Sequence, residues 1–167
     1  METYISDFEN VMYGDSYLDP ETGMRNFIDI PSAVDFILIN EFVKNTDAFY
    51  FSTFMYKDND QKLFLGPVWD FNIALGNHWG FNGTTTNWIV IGNDSLPWVP
   101  RIKKDPVFYF HFQQRWGQLR PNQLSDESVT VYIDNVYSLL DDDGGAQERN
   151  FIRWPILGEY VSPNRLP

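Results

Sequence analysis

The chain has 167 residues, which fits one domain, and 43% of them are hydrophobic, which predicts a folded core. The net charge is −11, and Lys103 and Lys104 form the only adjacent basic pair. Binding to nucleic acid or to an anionic membrane needs clustered cations, so we predict neither partner. Cysteine is absent, which excludes disulfides and thiolate metal sites.

The N-terminal part is predicted to be helical. Residues 3–13 have apolar side chains at approximately helical spacing, and Gly14 ends this helix. A polar stretch with proline and glycine predicts a loop over 15–26. A second helix is predicted over 31–44, where apolar residues leave almost no polar face. Such a helix must be surrounded by other elements, so we place it in the middle of the domain.

A β-hairpin is predicted after the second helix. Residues 49–56 are rich in aromatic and β-favouring side chains, residues 57–61 form a polar turn, and an apolar stretch resumes at 63–65. Residues 76–98 contain five glycine and proline residues and several tryptophans, which indicates a long irregular segment. Long loops in compact domains are often functional.

Three further helices complete the predicted fold. The first begins at Asp105-Pro106, the second follows a Ser125 cap and has an apolar stripe, and the third spans about 146–154. No apolar run approaches the roughly 18 residues of a membrane span, and the first residues do not read as a signal peptide. We therefore expect a single α+β domain over residues 1–167, mainly helical, with one hairpin.

Two aspartates stand at the two ends of the predicted hairpin. The buried helix leads to Asp47, and the returning strand leads to Asp70. The ends of a hairpin lie close together, so both carboxylates are predicted to face one cleft. Phosphoryl transfer uses such a pair, with one aspartate accepting a proton from the attacking hydroxyl and the other holding Mg²⁺. Glycoside hydrolysis also uses paired carboxylates and remains an alternative.

The residues around these aspartates resemble the CotH family of atypical kinases, known from spore coats and from secreted bacterial proteins. The resemblance covers most of the chain and is strongest from residue 28 to residue 77. It rests on these motifs: Phe36-Ile37-Leu38-Ile39-Asn40-Glu41, Asn45-x-Asp47, Gly66-Pro67-Val68-Trp69-Asp70-Phe71, Gly76-Asn77 and Arg115-Trp116-x-x-Leu119-Arg120.

The resemblance implies a protein-kinase-like C-lobe whose hairpin carries the site. Asp47 takes the place of the catalytic base, and Asp70 that of the metal-binding aspartate. Protein kinases have a metal-binding Asn five positions after the base. In this chain Ser52 occupies that position and is a weaker predicted metal ligand. Asn45 and Asn72 are predicted to bind cofactor. Many relatives have Asp at the Asn72 position. Ser52 and Asn72 both depart from the expected residues, and both departures reduce the negative charge around the metal.

The resemblance also implies Mg²⁺ and ATP as cofactors and a protein Ser/Thr hydroxyl as acceptor. It implies a secreted or cell-surface bacterial location. The 167 residues contain neither a glycine-rich phosphate loop nor a strand lysine in a kinase-like setting. We therefore expect a C-terminal catalytic-lobe fragment that lacks the upstream nucleotide-clamping lobe and is nearly inactive alone.

Two other functions remain open at this point. A pseudokinase or cell-surface binding module would keep the fold without catalysis, and the neutral Ser52 and Asn72 favour it. A glycan-active protein would use the two carboxylates with sugar stacking on Trp79, Trp88 and Trp98, although a loop folded onto the core would use tryptophan in the same way. Asp47 and Asp70 also have a purely structural interpretation, as polar residues at a helix end and at a strand end.

Overall fold

The computed structural model describes residues 2–78, 86–94, 96–141 and 144–162. It is mainly helical with one small antiparallel sheet, so the predicted α+β class is confirmed. The elements in chain order are α1 (Glu2–Tyr13), a 3₁₀ helix (Met24–Asn26), α2 (Ile30–Phe42), β1 (Met55–Tyr56), β2 (Phe64–Leu65), α3 (Val99–Ile102), α4 (Pro106–Leu119), α5 (Asp126–Leu140) and α6 (Ala146–Arg153).

Helix α2 lies at the centre of the core. Its N-cap is Asp29, whose carboxylate accepts the Ser32 N–H at 2.8 Å, and Pro31 occupies its first turn. Its apolar side chains are buried on several sides, which confirms the prediction of a buried helix. The buried apolar residues of α2 are Ile30, Ala33, Val34, Phe36, Ile37 and Leu38.

Helices α4 and α1 supply much of the remaining core. Helix α4 packs along α2, with Phe108 and Phe112 buried. Its N-cap is the fully buried Asp105, which accepts the Val107 N–H at 2.9 Å. Helix α1 adds Phe8 and Met12, both completely buried. The result is one continuous apolar cluster that surrounds α2.

The hairpin is shorter than the sequence predicts. Residues Met55 and Tyr56 pair with Leu65 and Phe64 in antiparallel register. Residues 46–51 form turns and not the expected strand. The Asp47 carbonyl accepts the N–H groups of residues 50 and 51 at 3.1 and 3.3 Å. These local hydrogen bonds occupy backbone groups that a strand would need for pairing, so the prediction of a strand over 49–54 is wrong.

The chain after α4 extends away from this core. No described residue between 126 and 162 is buried, although α5 and α6 form close to their predicted positions. None of the helices in the described ranges combines the length and the apolar character needed to cross a membrane.

Candidate functional site

Asp47 lies just beyond the C-terminal end of α2, and its backbone is held by a buried pair of amides. Lys44 has a left-handed backbone with φ 54°, which turns the chain out of the helix. Asn45 is only 1% exposed, and its Nδ2 donates to Asn40 Oδ1 at 3.0 Å. Asn45 Oδ1 accepts the Asp47 N–H at 3.2 Å. Asn45 therefore braces Asp47 from inside the protein.

The carboxylate of Asp47 is half-buried and held on one side. Ser52, which is 4% exposed, donates its hydroxyl to Asp47 Oδ2. Within the described part of the chain, Oδ1 of Asp47 accepts no hydrogen bond. A carboxylate fixed through one oxygen, with the other oxygen unengaged, suits a group that must accept a proton from a bound hydroxyl.

Asp70 follows the hairpin and has a left-handed backbone. The N–H of Gly66 donates to the Phe54 carbonyl at 2.8 Å, which extends the pairing beyond β2. The rings of Phe54 and Trp69 are then in contact, with centroids 4.9 Å apart. Asp70 itself is exposed, with φ 59°. Aspartate adopts this backbone region more readily than most L-residues, because its short polar side chain can hydrogen-bond locally.

The residues after Asp70 fold back onto the end of α2. The Leu75 N–H donates to the Val43 carbonyl at 2.6 Å, and Ala74 beside it is 3% exposed. Asn72 is exposed, and its carbonyl accepts Nδ2 of Asn77 at 2.8 Å. The segment that carries Asp70 and Asn72 is thus anchored to the helix end that leads to Asp47.

The predicted site residues therefore form two groups at one end of α2. Asn45, Asp47 and Ser52 are joined by hydrogen bonds, while Asp70 and Asn72 lie on the neighbouring folded-back segment. A single ion or substrate shared by both groups stays a prediction, as do the cofactor and metal roles of Asn45, Asn72 and Ser52.

The donor chemistry of these residues fits magnesium held together with phosphates. Among the residues that the structure describes, no three His, Cys, Asp or Glu side chains are grouped closely enough to hold a metal ion. Mg²⁺ takes hard oxygen ligands and is usually bound by one or two carboxylates plus substrate phosphates. Asp70 and the amide oxygen of Asn72 match that pattern, whereas a cage built from protein ligands alone does not.

A cavity adjoins the Asp47 loop on the side of the irregular segment. Its volume is about 280 Å³, and Thr46, which belongs to its lining, has a buried Oγ1 without a hydrogen-bond partner among the residues that the structure describes. An unsatisfied buried hydroxyl can hydrogen-bond a ligand that enters the cavity. The lining residues are Asn45, Thr46, Ala48, Tyr50, His78, Ile89, Val90, Asn93 and Leu96.

Glu41 is a buried acid near the site to which the sequence analysis assigned no role. It is 2% exposed, and its carboxylate accepts the N–H groups of Ile89, Val90 and Ile91 at 2.7, 2.7 and 2.5 Å. Burial raises the pKa of Glu41 above its ordinary value of 4.5, and the three amide donors partly oppose the shift. A buried acid must have buried hydrogen-bond partners. The presence of Glu41 in a mostly apolar helix was therefore the sequence signal for such partners.

The tryptophans do not form one exposed platform. Trp98 is 8% exposed, packs edge-on against Phe8 with ring centroids 5.1 Å apart, and donates Nε1 to Glu9 at 3.3 Å. Trp88 is 44% exposed and contacts the rings of α4. Trp79 lies outside the described residues. Of the two alternatives for Trp98, packing onto the core is the one that the structure shows.

The family model described as "CotH kinase protein" matches residues 1–165. Neither the curated proteins nor the solved structures give a match to the chain.

Proposed function

Because the chain belongs to the CotH kinase protein family, we propose that it is a kinase-like domain that transfers the γ-phosphoryl group of ATP to a protein Ser/Thr hydroxyl. The observation that carries the proposal is the setting of Asp47. Its backbone is braced by Asn45, one carboxylate oxygen is held by Ser52, and the other accepts no hydrogen bond from the described part of the chain. Asp70 follows on a segment anchored to the same helix end.

In the proposed reaction, Asp47 accepts the proton of the acceptor hydroxyl. As that oxygen forms a bond to the γ-phosphorus, the bond between the γ-phosphorus and the bridging oxygen breaks and ADP leaves. The hydrogen bond from Ser52 orients the carboxylate, so that its free oxygen is available to the proton. Mg²⁺, when bound, neutralises charge on the phosphates, and Asp70 and Asn72 are the proposed ligands.

Ser52 and Asn45 support this site mainly through Asp47. Ser52 already donates its hydroxyl to Asp47, so metal binding by Ser52 would require its oxygen to serve the carboxylate and the ion together. The side chain of Asn45 is engaged at both ends, by Asn40 and by the Asp47 backbone. We therefore propose Asn45 as a positioning residue, and a direct cofactor contact stays a prediction.

We also propose which part of a kinase this chain represents. We propose that residues 1–167 form one C-lobe-like domain, and that a nucleotide clamp comes from additional sequence, since the phosphate-loop and lysine motifs are missing here. A secreted or cell-surface bacterial location is proposed on the family resemblance alone.

Metal binding tests the proposal directly. The purified chain is titrated with Mn²⁺, with and without a non-hydrolysable ATP analogue, and free Mn²⁺ is followed by electron paramagnetic resonance. We expect tighter Mn²⁺ binding with nucleotide, weakened about tenfold or more by Asp70→Asn because a carboxylate ligand is lost. Asp60→Asn is the matched control, since Asp60 is an exposed acid in the hairpin turn. Equal effects of both substitutions would refute a specific site.

A pseudokinase is the second candidate, favoured by the engagement of Ser52 with Asp47 and by the neutral Asn72. It predicts that Asp70→Asn leaves Mn²⁺ binding in the presence of nucleotide unchanged. Transfer of labelled phosphate from ATP to a protein acceptor gives a further test. We expect metal binding without measurable turnover from the chain alone. Turnover abolished by Asp47→Asn would contradict the proposal that the clamp is supplied elsewhere.

A further inference from the structure

Residues 88–93 line two cavities. Part of this segment borders the cavity beside the Asp47 loop, whereas Trp88 and Gly92 border a second cavity against α4. The second cavity has a volume of about 550 Å³. Small-molecule sites usually have volumes of about 300–1,000 Å³. Neither Asp47 nor Asp70 belongs to its described lining, so a ligand in this cavity would leave the candidate catalytic site open.

Trp88 gives this second cavity an aromatic ring that is both held in place and exposed. Its ring makes edge contacts with the rings of Phe112 and Trp116, with centroids 5.5 and 5.9 Å away. Nevertheless, Trp88 is 44% exposed. The backbone beside it is fixed as well, because the Glu41 carboxylate accepts the Ile89 N–H at 2.7 Å. A ring that is already fixed loses little freedom on binding, so it is suited to stack against a flat ligand.

The lining of this cavity includes two lysines, Lys103 and Lys104, and no acid among the residues that the structure describes. Lys103 Nζ donates to Asp94 Oδ1 at 2.5 Å and to the Ile91 carbonyl at 3.1 Å. An ammonium group has three donors, so one of them remains for a ligand. Lys104 is exposed and forms none of the ion pairs found in the described ranges.

The charges at this cavity do not cancel. The pKa of Asp94 is lowered mainly by the hydrogen bond from Lys103, and the charge of Lys104 contributes in the same direction. Both ammonium groups therefore lie near the same single carboxylate. The cavity has one positive charge in excess, although the whole chain has a net charge of −11. An anionic group that carries one charge matches this excess.

We propose that this cavity binds a sugar that carries one carboxylate, such as a uronic acid residue of a polysaccharide. The face of an aromatic ring is negatively polarised, so Trp88 attracts the C–H groups on the face of a sugar ring. The carboxylate pairs with Lys104, and the sugar hydroxyls meet the polar ends of Tyr109 and Gln113, which also line the cavity. A nucleotide is a poorer occupant, because several phosphate charges would meet one excess positive charge in an acidic protein. The proposal does not depend on the phosphotransferase function.

Binding of cellobiouronic acid, a disaccharide with one carboxylate, to the purified chain tests the proposal. Cellobiose is the matched probe, since it has the same two sugar rings without the carboxylate. Benzoate has a flat ring and a carboxylate but no hydroxyl groups. Proton–nitrogen NMR gives the dissociation constants and follows the indole N–H of Trp88, which is assigned by its loss in Trp88→Leu. We expect cellobiouronic acid to shift this signal and to bind about three- to fivefold more tightly than cellobiose at low salt. Benzoate should bind more weakly than cellobiouronic acid.

Matched variants separate the contributions of the ring and of the charge. Trp88→Leu keeps an apolar side chain against α4 but removes the flat ring, so we expect about tenfold weaker binding. Trp154→Leu is its control, since Trp154 is 56% exposed and lies at the end of α6. Lys104→Gln should lower the affinity for cellobiouronic acid to about that for cellobiose, with a smaller effect at high salt. Lys62→Gln removes the same charge at an exposed lysine outside the cavity and should change little.

Four results would overturn the proposal. The first is an unchanged Trp88 indole signal at about 10 mM cellobiouronic acid, which would mean that the cavity does not take this sugar. The second is equal affinity for cellobiouronic acid and cellobiose, which would show that the lysines do not select an anion. The third is tighter binding of benzoate, which would identify an aromatic carboxylate as the ligand. The fourth is equal binding by wild type and Lys104→Gln, an exposed position whose substitution leaves the core intact even if Trp88→Leu is unstable.

Discussion

Replacing Glu41 tests how residues 89–91, which follow Asp70 along the chain, are attached to the core. The carboxylate accepts three backbone N–H groups at 2.5–2.7 Å from a position that is 2% exposed. Glu41→Ala leaves these groups without their acceptor, and each such loss costs about 1 kcal/mol or more. We expect the free energy of unfolding to fall by about 3 kcal/mol, a large part of the roughly 5–15 kcal/mol typical of a domain.

Glu41→Gln gives a graded comparison. The amide oxygen of glutamine can still accept the N–H groups of Val90 and Ile91, while its NH₂ group faces the N–H of Ile89, and two donors do not bond. One acceptor interaction of three is lost, so we expect a cost of about 1 kcal/mol, between wild type and Glu41→Ala.

Urea unfolding followed by tryptophan fluorescence measures both changes, since Trp88 directly precedes the anchored residues. Glu21→Ala and Glu21→Gln are matched controls at an exposed position and should stay within about 0.5 kcal/mol of wild type. A Glu41→Ala variant as stable as Glu21→Ala would refute the inference that this carboxylate anchors the segment.

The pH dependence of stability provides a second measurement of Glu41. Burial raises the pKa of Glu41 in the folded state above 4.5, so the folded protein binds more protons than the unfolded chain in that window. The contribution of Glu41 is fully present below pH 4.5 and is lost as the pH rises through the folded-state pKa. The stability of wild type relative to Glu41→Gln should therefore decrease from pH 4.5 upward. An increase over this range would contradict the direction of the shift.

Two further substitutions test the core and the Asp47 loop. Phe108→Ala, at a completely buried position, should destabilise the protein by about 3–5 kcal/mol in urea unfolding, whereas Phe110→Ala, 57% exposed on the same helix, should cost less than about 0.5 kcal/mol. Ser52→Ala removes the hydroxyl that donates to Asp47 and should cost about 1.5–3 kcal/mol. A cost below about 0.5 kcal/mol would show that this hydrogen bond does not hold the loop.

The helices were predictable because their signals are local. The Ser125 cap and the Asp105-Pro106 start are both present, with Ser125 accepting the Ser128 N–H at 3.1 Å and Asp105 accepting the Val107 N–H at 2.9 Å. The buried character of α2 followed from apolar residues on all sides. Such signals act within a few residues and do not depend on the tertiary fold.

The errors arose where turn hydrogen bonds or the shortness of an element outweighed the preference that residue types indicate. Aromatic residues over 49–54 favour a strand, but Asp47 and Thr53 bind the backbone of this segment in turns, with Thr53 Oγ1 accepting the Phe49 N–H at 2.8 Å. Helix α3, which the sequence analysis did not predict, has only four residues. The sequence left open whether Trp98 stacks on a ligand or packs onto the core, because its contact with Phe8 links residues 90 positions apart, which no local pattern reveals.

The family motif predicted Asp47 and Asp70 from the sequence, and their roles stay predictions. The brace that Asn45 gives Asp47 and the anchor that Glu41 gives residues 89–91 are features that the structure shows. Both depend on buried polar groups meeting specific partners, Asn40 for Asn45 and the 89–91 backbone for Glu41. Spacing along the chain does not reveal such pairings, although a buried acid requires one.

We propose that Asp47 and Asp70 serve one metal–nucleotide site. Anomalous diffraction from crystals of the chain soaked with Mn²⁺ and a non-hydrolysable ATP analogue tests whether they do. We expect an anomalous peak about 2.0–2.3 Å from an oxygen of Asp70, with the γ-phosphate facing Oδ1 of Asp47. A peak elsewhere on the protein, or a nucleotide bound away from both carboxylates, would contradict it.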